Sequence, residues 1–266
     1  MSDQRESGQG SRWGGLTPDE FRLAYDVALG TRASIVACMN LKTRGEGVEF
    51  WIGGPGEEVH GASTALALDR VVRKEPDTPG DLAIFGHYRS DSLAHMTASL
   101  HGHDDFIRGY FRQALSRQTD PHSAGRQMVM HLCMPEAGLW PIQSPVGMQL
   151  SKAAGYARGL QAKESPGLAV AVVGDGTTGE SDFHEAAMAA SIWKLPLLII
   201  VTDNSVAITV RPEDGRGIKS YASYAEAFGL EYFECDGYDF MDTFNGTASA
   251  ARWVMDHTSD EQLRAE

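Results

Sequence analysis

Short unbroken apolar runs alternate along this chain with longer stretches whose apolar positions recur at helical spacing. The runs at 81–85, 168–173, 197–201 and 230–235 have the length of strands. The second, rich in Val and Ala, has the pattern of a strand buried on both faces. The first helix is expected to start at Thr17-Pro18-Asp19-Glu20, which supplies an N-cap, a proline at the first helical position and first-turn acids. It runs to about residue 42, with Gly30 as a point of interruption. A second helix opens at Glu57-Glu58 after the glycine-rich loop 50–56 and continues through Leu68. Others are expected over 104–115, with Asp104 as its cap, and over 147–162, 181–193, 220–228 and 240–257. Phe183, Ala187, Ala190 and Ile192 mark the inner side of the helix at 181–193. Strands that alternate with helices in this way predict an α/β fold with a doubly wound, mostly parallel sheet. Residues 1–15 and 259–266 are polar and read as tails flanking one domain of residues 16–258.

The stretch 168–204 carries the densest chemistry. Gly174-Asp175-Gly176 closes one apolar run, and Asp203-Asn204 closes the next. Open parallel sheets bind ligands in the crevice at the carboxyl ends of their strands. If the two strands are neighbours, Asp175 and Asn204 converge on one point. A carboxylate and an amide oxygen are hard donors, suited to Mg²⁺ or Ca²⁺ rather than zinc. Mg²⁺ takes one or two protein oxygens and shares the rest of its shell with phosphates and water. The glycines admit a phosphate to the backbone, and the following helix offers its positive N-terminal end. The reading is a Mg²⁺-diphosphate crevice. Glycine and aspartate are ordinary turn residues, so Asn204 is what makes the pattern specific. Gly86-His87-Tyr88-Arg89 occupies the same kind of strand end, where Arg89 is either a solvated charge or a fork of donors for phosphate oxygens.

Composition narrows the partners. A formal charge of -13 argues against nucleic acid and anionic membranes, so an anionic ligand must be held by local groups and a metal. Cys38, Cys133 and Cys235 are odd in number and contain no CxxC, which favours a reduced, cytoplasmic setting. No apolar run approaches membrane-span length, and the first fifteen residues lack the apolar core of a signal peptide. His101-Gly102-His103-Asp104 reads as a helix end rather than a metal site, since no zinc spacing accompanies it. The small residues Ala153, Ala154, Gly155, Ala157 and Gly159 permit close helix approach, either to the sheet or to another subunit.

GDG, a helix, then an asparagine after the next strand resembles the thiamine diphosphate-binding motif. The wider chain resembles the alpha subunit of the decarboxylating component of 2-oxoacid dehydrogenases. The string GEEVHGASTALAL resembles a segment of the same family, and the strings 125–131 and 144–149 lean toward the branched-chain type. The resemblance implies that Asp175, the Asn204 side chain and the Val206 backbone carbonyl hold Mg²⁺. Tyr88 and Arg89 would contact the diphosphate, Ser144 and Val146 would approach the aminopyrimidine, and Gly174, Gly176 and Thr177 would complete the cofactor crevice. His131 would face the cofactor or play a structural part. The chain departs from the family pattern at Asp203, where a second asparagine is common, and at Ser205-Val206, where Gly-Tyr is common. A K⁺ ligand Thr of some relatives is replaced by Met148, so no K⁺ is expected.

The resemblance further implies oxidative decarboxylation of a 2-oxo acid, branched-chain or pyruvate, with acyl transfer to lipoamide. Its partners would be a beta-type subunit that supplies the aminopyrimidine glutamate and a lipoyl acyltransferase, in an oligomer of the heterotetramer kind. The family's active-site histidine loop follows some distance past the metal asparagine and has no counterpart within residues 1–266; His257 lies in a helix. The catalytic residues are therefore unassigned, and the chain reads as C-terminally truncated relative to the family. A catalytically incomplete fragment or scaffold that keeps the fold is the alternative. An unrelated nucleotide-binding α/β module would leave Tyr88-Arg89 and Asn204 unexplained.

Overall fold

The computed structural model describes residues 15–75, 80–215, 217 and 220–258. The proposed tail 1–15, apart from Gly15, and the proposed tail 259–266 lie outside the described residues.

Three parallel strands, β1 (Asp81–Phe85), β2 (Gly167–Gly174) and β3 (Leu197–Thr202), form a sheet in the order β1-β2-β3. The register sets Phe85 opposite Ala171, and Gly174 opposite Thr202. β2 is the middle strand, so all eight of its residues are buried, as its continuous apolar run predicts. Alternate side chains go to opposite faces. Leu82, Ile84, Leu168, Val170 and Val172 pack on one side with α1 (Pro18–Arg44), α2 (Glu58–Asp69), α3 (Asp91–Leu100) and α9 (Phe240–Thr258). Ala83, Phe85, Ala169, Ala171 and Val173 pack on the other with α5 (Met148–Ala162) and α6 (Ser181–Trp193). The sheet is α/β with helices on both faces. α4 (Phe106–Ala114) precedes α5, and the short α7 (Pro212–Gly215) and α8 (Tyr221–Phe228) lie between β3 and α9.

α1 starts where its sequence says it should. Thr17 and Glu20 form a reciprocal capping box, and Gly45 ends the helix in the left-handed conformation. Gly30 does not interrupt it. A Cβ there would lie 3.1 Å from Ile107 Cδ1, so this glycine serves close packing of α1 on α4.

Several expectations need correction. Residues 230–235 form no strand; they run beside the sheet without joining a ladder. Apolar composition gives a segment strand character only if a partner edge lies within hydrogen-bonding reach. The sequence gives no sign of α3, because seven of its ten residues are buried and it shows no polar stripe. The π-turn Arg70–Lys74 that prolongs α2 also carried no signal. α4 begins at Phe106, and its N-cap falls on Asp105, whose side chain makes no capping bond; Asp104 is not a cap. Ile192, expected on the inner side of α6, is 64% exposed. On α5, Ala153, Ala154 and Ala157 face the sheet, whereas a Cβ at Gly155 or Gly159 would meet nothing.

Candidate functional site at the carboxyl ends of the strands

The turn after β1 places Arg89 over the end of β2. A Cβ on Gly174 would lie 3.0 Å from Arg89 Nη2, so only glycine lets the guanidinium sit there undisturbed. Arg89 Nη1 donates to the Tyr88 hydroxyl at 3.0 Å, and the guanidinium lies 4.9 Å from that ring's centre. Arg89 Nε donates to Glu57 Oε1 at 3.1 Å. The carbonyl of Arg89 in turn lies 2.7 Å from where a Gly54 Cβ would be, which fits the glycine-rich loop closely against the strand end.

Glu57 is the member of this cluster that the sequence did not flag. It reads as a helix-opening acid, yet its Oε2 lies 3.5 Å from His60 Nε2, and the same atom is buried with no hydrogen bond among the described residues. Burial pushes its carboxyl up, but His60, His87 and Arg89 outweigh that and hold it below the ordinary range. The neighbouring Glu58 is a separate structural anchor, paired through both oxygens with Arg32. His87 is buried beside Glu57. Burial is the main cause of its low pKa, about 4, so the ring stays neutral at ordinary pH. Its Nδ1 accepts the Arg89 N–H at 3.3 Å, and its Nε2 has no partner among the described residues.

Past the end of β2, the segment Asp175–Gly179 makes a 3-10 turn into α6. Asp175 and Thr177 are buried, and Thr178 Oγ1 donates to the Asp175 carbonyl at 2.7 Å. No lysine, arginine or histidine among the described residues pairs with the Asp175 carboxylate. A Cβ on Gly176 would lie 2.6 Å from the Ala207 Cβ, so glycine lets the loop after β3 close over this turn. Because Gly174 is level with Thr202, Asp175 and Asn204 stand past adjacent strand ends, as the sequence reading required.

The loop after β3 is folded on itself. Asn204 Oδ1 accepts the Val206 N–H at 3.1 Å. Asp203 has a local task that the sequence left unexplained: Oδ1 accepts the Ser205 N–H at 2.6 Å, and Oδ2 accepts the Tyr221 hydroxyl at 2.8 Å, tying the loop to α8. Asn204 and Val206 are exposed.

Ser144 and Val146 are exposed just before α5. The Ser144 hydroxyl lies 2.7 Å from His131 Nε2, and His131 Nδ1 lies 3.3 Å from the Val129 carbonyl. A carbonyl can only accept, so Nδ1 is the donor to Val129, and the Ser144 hydroxyl completes the pair at Nε2. His131 is thus held from both sides, with its own carbonyl bonded by Gln113. Gly147, at φ +93°, brings this segment to the N-terminus of α6; a Cβ there would lie 3.2 Å from Asp182 Cβ. The structure therefore gathers Tyr88, Arg89 and Gly174 around one strand end, sets Asp175 and Asn204 past neighbouring ends, and pairs Ser144 with His131. Among the described residues, no group of three or more His, Cys, Asp or Glu side chains is placed to hold a metal ion. No helix among them is long and apolar enough to cross a membrane.

The sequence model of the dehydrogenase E1 component family matches residues 70–262. The mitochondrial 2-oxoisovalerate dehydrogenase subunit alpha of Caenorhabditis elegans is 30% identical over 213 residues, 78% of this chain and 44% of that protein. The 2-oxoisovalerate dehydrogenase subunit alpha of Bacillus subtilis is 27% identical over 236 residues, 89% of this chain and 67% of that protein. The pyruvate dehydrogenase E1 component subunit alpha of Mycoplasma genitalium is 33% identical over 114 residues, 43% of this chain and 32% of that protein. The chain thus spans less than half the length of the nematode relative and two thirds of the Bacillus one. With the family match covering the strands, the GDG turn and the loop after β3, the chain belongs to the dehydrogenase E1 component family.

Proposed function

We propose that residues 16–258 form the cofactor-holding domain of an alpha-type subunit that acts in oxidative decarboxylation of a 2-oxo acid. The cofactor is thiamine diphosphate with Mg²⁺, and the substrate is a branched-chain 2-oxo acid or pyruvate. The observation that carries this reading is the placement of Asp175 and Asn204 past neighbouring parallel strand ends, with Arg89 lying over Gly174 between them and β1.

The residues present fit such a group. Asp175 is a buried carboxylate without a protein cation, which a divalent metal would satisfy. The Asn204 amide oxygen and the Val206 carbonyl add hard oxygen donors, and the diphosphate would fill the remaining positions. Arg89 and Tyr88 supply donors for phosphate oxygens. Gly174 and Gly176 keep the approach clear, and Thr177 lies within the turn that leads to the N-terminus of α6. Ser144 and Val146 would line the side where the aminopyrimidine lies, with His131 orienting the serine hydroxyl. When bound, the cofactor supplies the carbanion-stabilising chemistry that removes CO₂ from a 2-oxo acid. This chain's share is to hold its diphosphate end and fix its orientation.

Turnover further requires a beta-type subunit to contact the aminopyrimidine and a lipoyl acyltransferase to accept the acyl group, in a heteromeric assembly. The three free cysteines suit a reducing compartment such as the cytoplasm. The test is a calorimetric titration with thiamine diphosphate and Mg²⁺, with and without a beta-type partner. Saturable Mg²⁺-dependent binding supports the reading. No binding in either state would sink it, and binding without turnover in any assembly would point to the scaffold alternative.

A further inference from the structure

Arg89 reaches the end of β2 with its donors already divided. Nη1 donates to the Tyr88 hydroxyl at 3.0 Å, and Nε donates to Glu57 Oε1 at 3.1 Å. Nη2 makes no hydrogen bond among the described residues, and it is the nitrogen that stands 3.0 Å from where a Gly174 Cβ would be. A guanidinium on a flexible stem presents a defined pair of donors to an anion only when the plane of its fork is fixed. Tyr88 moves with the same turn as Arg89. Glu57 belongs to a separate element and can fix the fork from outside.

The chain around Glu57 is built for that. Its N–H donates to the Gly54 carbonyl at 3.0 Å, and the Gly56 N–H donates to Glu58 Oε2 at 2.9 Å. Glu58 is itself paired with Arg32 on α1. α2 and α3 are pressed together just beyond, where a Cβ on Gly61 would lie 2.8 Å from the Leu93 nitrogen. Ser92 Oγ donates to the Glu58 carbonyl at 2.6 Å across the same contact. The far oxygen of Glu57, Oε2, is buried and lies 3.5 Å from His60 Nε2. The carboxylate is thus held from behind, with Oε1 turned to Arg89.

We propose that Glu57 is a positioning residue for the cofactor diphosphate: it occupies Arg89 Nε and thereby turns the Nη2 edge of the fork toward the end of β2. The role rests on the diphosphate site proposed above. Charge and geometry make opposite demands at this position. By charge alone a carboxylate beside a diphosphate repels it and cancels part of the pull of Arg89. By geometry it removes the rotational freedom of the guanidinium before the ligand arrives, so less ordering is left to pay at binding. The charge-assisted bond and the packing of α2 on α3 make the geometric effect the larger one. A site arranged in this way selects an anion that fits the fork over one that merely carries charge.

The test is calorimetric titration of the full chain with thiamine diphosphate and Mg²⁺, alone and with a beta-type partner. Glu57→Met keeps the side-chain length but offers no acceptor, and should weaken binding by about tenfold although it removes a negative charge. Glu57→Gln keeps an oxygen that can accept the Nε–H, and should return to within about threefold of the parent. With Arg89→Ala already in place, Glu57→Met should weaken binding no further. The Arg89 Nε–H resonance, assigned by its loss in Arg89→Lys, reads the same contact without cofactor. Its exchange with water should be slow in the parent and in Glu57→Gln, and fast in Glu57→Met. Melting temperatures report whether each variant keeps the fold, and Glu57→Ala replaces Glu57→Met if the latter does not. Tighter binding in Glu57→Met would show that Glu57 acts through charge. An equal loss in the Arg89→Ala background, or no recovery in Glu57→Gln, would show that it does not act through Arg89. Each of these overturns the role while the parent still binds. A parent that binds no thiamine diphosphate in either state overturns the site itself, and the role with it.

Discussion

Arg89 and Gly174, 85 positions apart in sequence, meet at the carboxyl end of the central strand, where the guanidinium occupies the space a side chain at 174 would take. Gly174→Ala should therefore move Arg89 without harming the fold, because the contact is with the far end of a flexible side chain. Stability should change by less than about 1 kcal/mol, while affinity for Mg²⁺-thiamine diphosphate should fall by about tenfold. Thermal melting and calorimetry separate the two effects. Unchanged affinity would remove Arg89 from the diphosphate site.

Asp175 is the stricter test of the metal assignment. Asp175→Ala should abolish Mg²⁺-dependent cofactor binding, because the Asn204 amide and the Val206 carbonyl alone supply no charge. The measurement is titration of thiamine diphosphate with and without Mg²⁺. If the variant binds as the parent does, the site is elsewhere.

Asp91 gives the fold a pH dependence. Both its carboxyl oxygens are buried, beside the Tyr110 hydroxyl and the Gly54 backbone, and burial is the main cause that pushes the group up to about 7. Between the unfolded value of 3.8 and about 7, the folded state holds the extra proton. Stability from this group is therefore full below 3.8 and lost as pH rises toward 7, by up to about 1.4 kcal/mol per pH unit. Asp91→Asn removes that loss. Its stability relative to the parent should rise from pH 4 to pH 7 and level off above. His87, held down to about 4, acts in the opposite direction, losing stability as pH falls below 6.5, but it is common to both proteins and cancels in the difference. Urea melts at several pH values decide this; a pH-independent difference would show that the carboxyl is not raised.

Leu168 anchors the central strand and is fully buried. Leu168→Ala should cost about 2–5 kcal/mol, the range for a large-to-small change in a packed core. It should lower the urea midpoint with little change in slope. A cost below about 1 kcal/mol would mean that the two faces of the sheet repack freely.

The polar crevice was legible because each part of it sits at the end of an apolar run. Gly174-Asp175 and Asn204 follow strands whose parallel pairing the composition already implied, and Tyr88-Arg89 follow a third. Glu57 was not legible. Its meaning depends on Arg89, 32 residues on, and locally it reads as an acid at a helix start. Asp203 was equally opaque until α8 brought the Tyr221 hydroxyl to it.

Residues 168–174 determine a buried strand by composition alone, since continuous Val and Ala leave no polar face to expose. Thr17 and Glu20 determine the start of α1, since both halves of the capping box lie within one turn. The run at 230–235 has the same local credentials as a strand, yet the tertiary structure leaves it unpaired across a cavity from β3. A strand is defined by hydrogen bonds to a neighbour that its own residues do not contain. The same holds for the ion pair of Glu57 with Arg89 and the contact of Arg89 with Gly174. Local periodicity fixed the elements, and only their assembly decided which edges meet and which charges find each other.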